Sequence, residues 1–401
     1  MNAKKAISIV KLVMVCVFMG VFCGVLGALF SKCISLVTNI RGSYNWLLYL
    51  LPVAGVLSVA IYKALKVEHM GTNQVIESVG EKNVLSPKLA PAVFIASTLS
   101  HLCGASVGRE GAALQLGGSS AVFFSKFFKL TEEQAKMLVY CGMAGVFSSV
   151  FGTPFAAAFF ALEVVYVGHI WYKAIPSVLI TSLFSFFTAY LLGADRERFT
   201  LSVVPDLSFS TSWKTLALCL LTVVLGLVFC LSLEYFEKVF EKLFKKSFLR
   251  IVIGGFAIVL LTIAVGTYDY NGAGINVIET IFDNDEFVPM AFALKMLFTC
   301  IAVGAGFKGG EIVPTLFIGA TFGALIGSLL GLPIAFSTAV CMITLFCAVT
   351  NCPLASLLLG AELFEGSGIG YMAVAVIISY CISGKTSLYS SQKTDGFKAL
   401  F

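Results

Sequence analysis

An arginine and a glutamate stand side by side in an apolar part of the chain, at Arg109 and Glu110, within the sequence SVGREGAALQLGG. Ionisable side chains are costly inside a bilayer, so their presence there favours a functional role. The flanking Gly108 and Gly111 let the backbone approach an ion closely, and an apolar run follows them. The first N–H groups of a helix lack internal partners and the helix dipole is positive there, so this element predicts an anion site.

Glu110 is itself an anion at the start of a helix, and this predicts two states for it. As a carboxylate it occupies the place of a bound anion, and once protonated it loses that attraction and can leave. Such competition would couple proton uptake to anion movement. The alternative is a structural carboxylate held by backbone N–H groups. Arg109 has two possible roles: it offsets local charge, or it organises the loop.

Three sequence elements occur twice, in the same order and about 200 residues apart. The pairs are GTNQVIE at 71–77 with GINVIE at 274–279, GREG at 108–111 with GGEI at 309–312, and TPFA at 153–156 with CPLA at 352–355. A repeat of half the chain is typical of transporters and predicts two transmembrane repeats within one integral membrane domain, at 1–200 and 201–401. Glu163 and Glu362 follow the two prolines at equal spacing, and we expect them to cap neighbouring helix ends.

The composition predicts a polytopic membrane protein. The chain has 401 residues, of which 58% are hydrophobic and 12% charged, and its mean hydropathy is +0.95. Soluble domains carry about 25% charged residues. The net charge of +5 reflects basic clusters at Lys4–Lys5 and Lys238–Arg250, which predict a cytoplasmic N-terminus and do not indicate nucleic-acid binding. The first apolar segment, Ile7–Phe30, is longer than the core of a signal peptide, so we interpret it as a retained helix.

Apolar segments recur along the whole chain, and several are too short to span a bilayer, which takes about 20 residues. Leu89–Leu102, Phe155–Val167 and Leu354–Leu363 are examples. Short apolar segments broken by glycine and proline predict an all-α fold with discontinuous helices that meet near the midplane. Lys295, inside one such segment, is expected to snorkel or to face a water-filled vestibule.

Metal, disulfide and enzyme chemistry have no support in the sequence. The 12 cysteines occur singly in mostly apolar surroundings, which is typical of cysteine as a small apolar residue. His69, His101 and His169 stand far apart. The sequence therefore predicts no metal, no cofactor and no enzymatic activity.

At these elements the sequence resembles the CLC family of anion channels and proton-coupled anion antiporters. The similarity extends over nearly the whole chain, through Met70-Gly71, Gly108–Gly111, Phe151–Pro154, Leu294–Met296, Gly309–Pro314 and Ser387–Ser390. It implies an inverted repeat of tilted and discontinuous helices. It also implies a homodimer in the plasma (inner) membrane with one pathway per subunit. Because the chain ends soon after Tyr389, we expect no cytoplasmic regulatory domain.

The resemblance also implies roles for individual residues. Glu110 corresponds to the gating glutamate and proton carrier, and the Tyr389 hydroxyl would contact the central anion. Ile312 and Val313 would offer backbone N–H groups to it. The anion-binding set is thus Met70, Gly71, Arg109, Gly111, Ile312, Val313 and Tyr389.

Two departures from the common pattern point to a branch of the family. Met70 stands where most members carry serine, and a thioether cannot donate a hydrogen bond to a halide; methionine there is similar to the fluoride/proton antiporters. Val164 replaces a second glutamate typical of chloride/proton exchangers. Val313 argues the other way, since fluoride exporters often carry threonine there. We therefore predict a proton-coupled fluoride exporter, with a chloride/proton exchanger or a passive chloride channel of the same fold as the alternative.

Overall fold

The computed structural model describes residues 3–80, 85–194, 196–394 and 398, with side chains from residue 9 onward. Over this part of the chain the protein is predominantly α-helical. The helices of the first half are α1 (Ala3–Ser43), α2 (Leu51–Leu65), α3 (Thr72–Gly80), α4 (Leu89–Leu102), α5 (Glu110–Phe127), α6 (Glu132–Phe151), α7 (Pro154–Glu163) and α8 (Ile175–Leu191). The side chains of Lys4 and Lys5 lie outside the described residues.

The second half repeats this order with helices of similar length. They are α9 (Phe209–Leu243), α10 (Ser247–Val265), α11 (Ile275–Asn284), α12 (Ala291–Ala305), α13 (Ile312–Leu330), α14 (Ile334–Thr350), α15 (Pro353–Leu363) and α16 (Ile369–Ile382). Short 3₁₀ turns occupy Asn45–Leu50 and Tyr172–Ala174, and β1 (Tyr166–Val167) pairs in parallel with β2 (Lys393–Thr394). The predicted boundary between the repeats falls between α8 and α9.

The lengths of the helices agree with the predicted discontinuous architecture. Within the described residues, six helical segments are long and apolar enough to cross a membrane. Others are much shorter, such as α7 with 10 residues and α15 with 11. Each of these two begins with proline, whose missing N–H costs nothing in the first helical turn.

The two short helices cap each other, as the repeated glutamates predicted. Glu163, at the end of α7, accepts hydrogen bonds from the N–H groups of Leu354 (3.1 Å) and Ala355 (2.8 Å) at the start of α15. Glu362, near the end of α15, accepts from Phe155 (3.0 Å) and Ala156 (2.8 Å) at the start of α7. This exchange of equivalent contacts is what a two-fold relation between two repeats produces.

We expect Glu163→Gln to lower the free energy of unfolding by about 1–3 kcal/mol, because it weakens a charge-assisted bond to a buried helix start. Glu362→Gln should cost less, since Glu362 is only half-buried whereas Glu163 is buried. Thermal unfolding in detergent measures both, with the exposed Glu286→Gln as the matched control. Equal stability of Glu163→Gln and the control would contradict the capping role.

Close helix packing holds the start of α5 in place. Helix α5 lies against α6, and α13 lies against α14 in the same way. At the crossing of α5 and α6, a Cβ atom on Gly117 would overlap the carbonyl group of Gly142. Small residues let membrane helices approach this closely. The two helices that begin at the repeated glycine–glutamate elements are therefore both fixed from one side by a neighbouring helix.

Candidate functional site

The two glycine–glutamate elements meet in a short antiparallel bridge. Gly108 N donates to Gly310 O and Gly310 N donates to Gly108 O, both at 2.6 Å. A Cβ atom on Gly310 would collide with Gly111 N and lie 3.1 Å from Glu110 N, so only glycine permits this approach. The bridge brings the N-termini of α5 and α13 together from the two halves of the chain.

Glu110 lies at this meeting point and is fully buried. Its Oε2 atom accepts a hydrogen bond from Val313 N, in the first turn of α13, at 3.4 Å. Its other oxygen, Oε1, has no hydrogen-bond partner among the described residues. The backbone donor to the carboxylate is thus Val313, whereas the N–H group of the preceding Ile312 makes no such bond in the part of the chain that the structure describes. The start of α13 therefore holds one of the two carboxylate oxygens.

The Arg109 guanidinium is turned toward other partners than Glu110. Its Nη1 donates to Ser31 Oγ on α1 at 2.9 Å, and its Nη2 donates to Glu197 Oε1 at 2.5 Å. The distance from Arg109 Nε to Glu110 Oε1 is 3.8 Å, which is an ion pair but too long for a hydrogen bond. Of the two roles left open for Arg109, this geometry favours organisation of the loop. No local pattern in the sequence pointed to Glu197.

Tyr389 is buried, and its hydroxyl has no hydrogen-bond partner among the described residues. The hydroxyl lies within electrostatic range of the Glu110 and Glu311 carboxylates. The backbone of the adjoining Leu388 donates to Val349 O, at the end of α14, at 2.8 Å. The C-terminal segment is thus fastened to the end of α14, and its tyrosine lies within electrostatic range of the first residue of α5.

The element before α3 joins the same region. Thr72, the first residue of α3, accepts a hydrogen bond from Gln115 Nε2 of α5 at 3.1 Å, and a Cβ on Gly111 would lie 3.4 Å from Thr72 Oγ1. Met70 and Gly71, directly before Thr72, are half-buried. The predicted residues of the first half therefore converge where Gly111 of α5 approaches the start of α3.

Two hydrogen bonds tie α3 to the segment that carries Tyr389. Ser391 N donates to Asn73 Oδ1 at 3.4 Å, and Ser391 Oγ donates to Glu77 Oε1 at 2.5 Å. Asn73 and Glu77 belong to one of the repeated sequence elements, and their position explains why both are polar. Through these contacts, α3 and the Tyr389 segment are held at a fixed separation around the site.

The structure corrects the expectation that Lys295 snorkels or faces a water-filled vestibule. Lys295 does neither, because its side chain is fully buried. Its Nζ donates to Gly272 O at 2.6 Å and to Tyr270 O at 3.2 Å. The carbonyl groups of a loop from another part of the chain satisfy the ammonium group, and this loop precedes α11.

The fold and the site define a membrane protein in which the helix N-termini of two repeats converge on a buried carboxylate, an arrangement suited to anion transport. The family model of the voltage-gated chloride channel matches residues 54–384, and the chain belongs to this CLC family. The predicted family and fold class are thereby confirmed.

Individual relatives agree with this assignment. A chloride/fluoride channel protein of Pseudomonas syringae pv. tomato is 31% identical over 378 residues, which cover 92% of this chain and 83% of the relative. A CLC-type fluoride/proton antiporter of known structure superimposes with a TM-score of 0.91 at 29% identity, covering 96% of this chain and 98% of that one. A cyanobacterial chloride/proton antiporter, at 19% identity and a TM-score of 0.82, covers 93% of this chain and 94% of its own length and shares the fold.

Proposed function

We propose that this protein exports fluoride in exchange for protons and that Glu110 is its gate and proton carrier. The observation that carries the proposal is a group of three unsatisfied polar atoms: those of Glu110 and Arg109 lie 3.8 Å apart at the start of α5, and that of Tyr389 lies within electrostatic range of Glu110. Within the described residues, three buried polar groups lack hydrogen-bond partners: Glu110 Oε1, Arg109 Nε and the Tyr389 hydroxyl. Buried polar groups are normally satisfied, so such a cluster suits a site that a transported ion or water fills.

The chemistry of Glu110 gives the coupling. The ionised carboxylate lies against the N–H group of Val313, where a helix start attracts an anion. Protonation removes the charge and with it most of this attraction, so the side chain leaves and a halide takes its place. When the halide departs, the carboxylate returns and releases its proton. One site that alternates between the two anions moves protons and halide in opposite directions.

Met70 and the named relatives support fluoride rather than chloride as the proposed cargo. Met70 cannot donate a hydrogen bond, whereas the serine common at this position in the family can. The relatives described as a chloride/fluoride channel protein and as a fluoride/proton antiporter support the same branch. The inside-negative potential, worth about 2.3 kcal/mol per charge per 100 mV, would help to expel the anion. Val313 favours the second candidate, a chloride/proton exchanger or a passive chloride channel.

The cellular setting belongs to the same proposal. We infer a plasma-membrane protein with its N-terminus in the cytoplasm, acting as a homodimer and catalysing no chemical reaction. Apolar side chains are exposed on α8 and α16, among them Phe187 at 56% and Ile377 at 63%. A face of this kind is suited to a second copy or to lipid.

Ion efflux from proteoliposomes tests the choice of anion. We expect the wild-type protein to release fluoride about tenfold or more faster than chloride, equivalent to about 1.4 kcal/mol of discrimination. Met70→Ser should reduce this ratio, because the new hydroxyl supplies a donor for chloride. Met290→Ser, which changes an exposed methionine outside the site, is the matched control. Equal wild-type efflux of the two ions would rule out the fluoride assignment.

A further inference from the structure

We propose that Glu197 is a positioning residue that holds the Arg109 guanidinium away from Glu110 and thereby lets the Glu110 side chain leave its helix start. Glu197 lies in the segment between α8 and α9, which joins the two repeats. The inference rests on the proposed function of Glu110 as gate, and it adds a residue from outside the repeated elements to the machinery of that gate.

The distances show which carboxylate Arg109 is paired with. Arg109 Nη2 lies 2.5 Å from Glu197 Oε1, whereas Arg109 Nε lies 3.8 Å from Glu110 Oε1. The first is a charge-assisted hydrogen bond and the second is not. Both Arg109 Nε and Glu110 Oε1 lack any hydrogen-bond partner among the described residues. A donor and an acceptor of opposite charge thus stand just beyond bonding distance in a buried place.

The burial of the three side chains makes their interactions strong. The exposed fractions of the side chains are 9% for Arg109, 13% for Glu197 and 0% for Glu110. Charges in such surroundings are screened less by water than at a surface. One buried cation lies between two carboxylates, so a stronger bond to one weakens its hold on the other.

The segment around Glu197 is fastened on both sides. On one side, the Arg196 guanidinium lies over the rings of Tyr190 (4.1 Å) and Phe186 (4.6 Å) of α8. On the other side, Phe199 N donates to Leu363 O at 3.0 Å, and the Phe199 ring stacks on Phe282 with centroids 4.8 Å apart. These anchors fix Glu197 in place, as a positioning role requires.

Arg109 is held from a second direction as well. Ser31 Oγ on α1 accepts from its Nη1 at 2.9 Å, so the guanidinium is oriented by two elements that lie outside the repeated glycine–glutamate elements. Other titratable or charged groups also face these side chains. His101 lies within electrostatic range of Arg109, Tyr389 of Glu110, and Glu279 of Glu197. Behind them, Arg41 and Lys295 lie near His101, Glu311 near Tyr389, and Asp283 near Glu279.

The pH dependence of proton-coupled fluoride transport tests the proposal. The Glu197→Gln substitution removes one of the two carboxylates close to Arg109 and leaves Glu110 as the other. The Arg109 charge then stabilises the ionised form of Glu110 more strongly, so Glu110 stays ionised to lower pH. We expect the pH of half-maximal transport in proteoliposomes to fall by about one unit, as for a carboxylate paired with arginine. Glu279→Gln removes an exposed charge near Glu197 without any contact to Arg109 among the described residues, and it should leave the profile unchanged.

A double substitution separates positioning from a structural role. In a Glu110→Gln background, adding Glu197→Gln should change passive fluoride efflux less than about twofold. The reason is that Glu197 acts through the charge of Glu110, and the Glu110→Gln substitution has already removed that charge. A large effect there would overturn the proposal. An unshifted profile in Glu197→Gln, or an equal shift in Glu279→Gln, would also overturn it.

If Glu197→Gln does not fold, Glu197→Asp decides, because it keeps the charge but withdraws the carboxylate by one methylene; a shift in the same direction supports the proposal and no shift overturns it. Absence of proton-coupled fluoride transport in the wild-type protein would instead reject the proposed function.

Discussion

Replacing Glu110 with glutamine is expected to reduce fluoride-driven proton transport to the level of protein-free vesicles. The amide has nearly the same shape as the carboxyl group, but it neither takes up nor releases a proton in the accessible pH range. It also lacks the charge that draws the carboxylate toward Val313 N. Fluoride can therefore still pass, but passively. A pH electrode on lightly buffered proteoliposomes under a fluoride gradient measures the effect.

Glu286→Gln makes the same chemical change on an exposed side chain outside the predicted site residues, and its proton transport should equal that of the wild type. If Glu110→Gln still moves protons against a gradient, Glu110 is not the carrier. If instead the wild type itself moves no protons while fluoride or chloride flows, the protein is a passive channel and Glu110 is a gate without coupling.

The features that the sequence predicted depend on residues close together in the chain. Glycine next to a charge and before an apolar run marks a helix start, and α5 does begin at Glu110. The equal spacing of Glu163 and Glu362 after their prolines predicted that both cap helix ends. Local chemistry limits the possible roles of such residues, and the repetition of each element supplies a second, independent example.

The features that the sequence did not predict depend on contacts between distant segments. Glu197 is separated from Arg109 by 88 positions and lies outside every repeated element. A lysine in an apolar segment looks the same whether it snorkels or not, and Lys295 is satisfied only because the Tyr270–Gly272 loop presents carbonyl groups to it. Such partners are set by tertiary packing, for which a single sequence carries no local signal.

Alanine substitutions at the two bridge glycines are expected to have different effects. In Gly310→Ala, the new Cβ collides with Gly111 N and lies 3.1 Å from Glu110 N. These are backbone atoms, and they can move only if the two 2.6 Å bonds between Gly108 and Gly310 break. We expect a loss of about 3 kcal/mol or more of stability, measured by thermal unfolding in detergent.

Gly108→Ala should keep the fold and disturb the gate instead. The atom nearest to its new Cβ is Glu110 Oε2, the end of a flexible side chain, whereas the nearest backbone atom, Gly310 O, is 3.2 Å away. The carboxylate is then displaced from Val313 N, and we expect proton transport per fluoride to fall while the unfolding temperature changes less than in Gly310→Ala. Wild-type coupling in Gly108→Ala would mean that the carboxylate does not rest at this helix start during transport. Wild-type stability in Gly310→Ala would mean that the bridge does not join the two repeats as tightly as its geometry indicates.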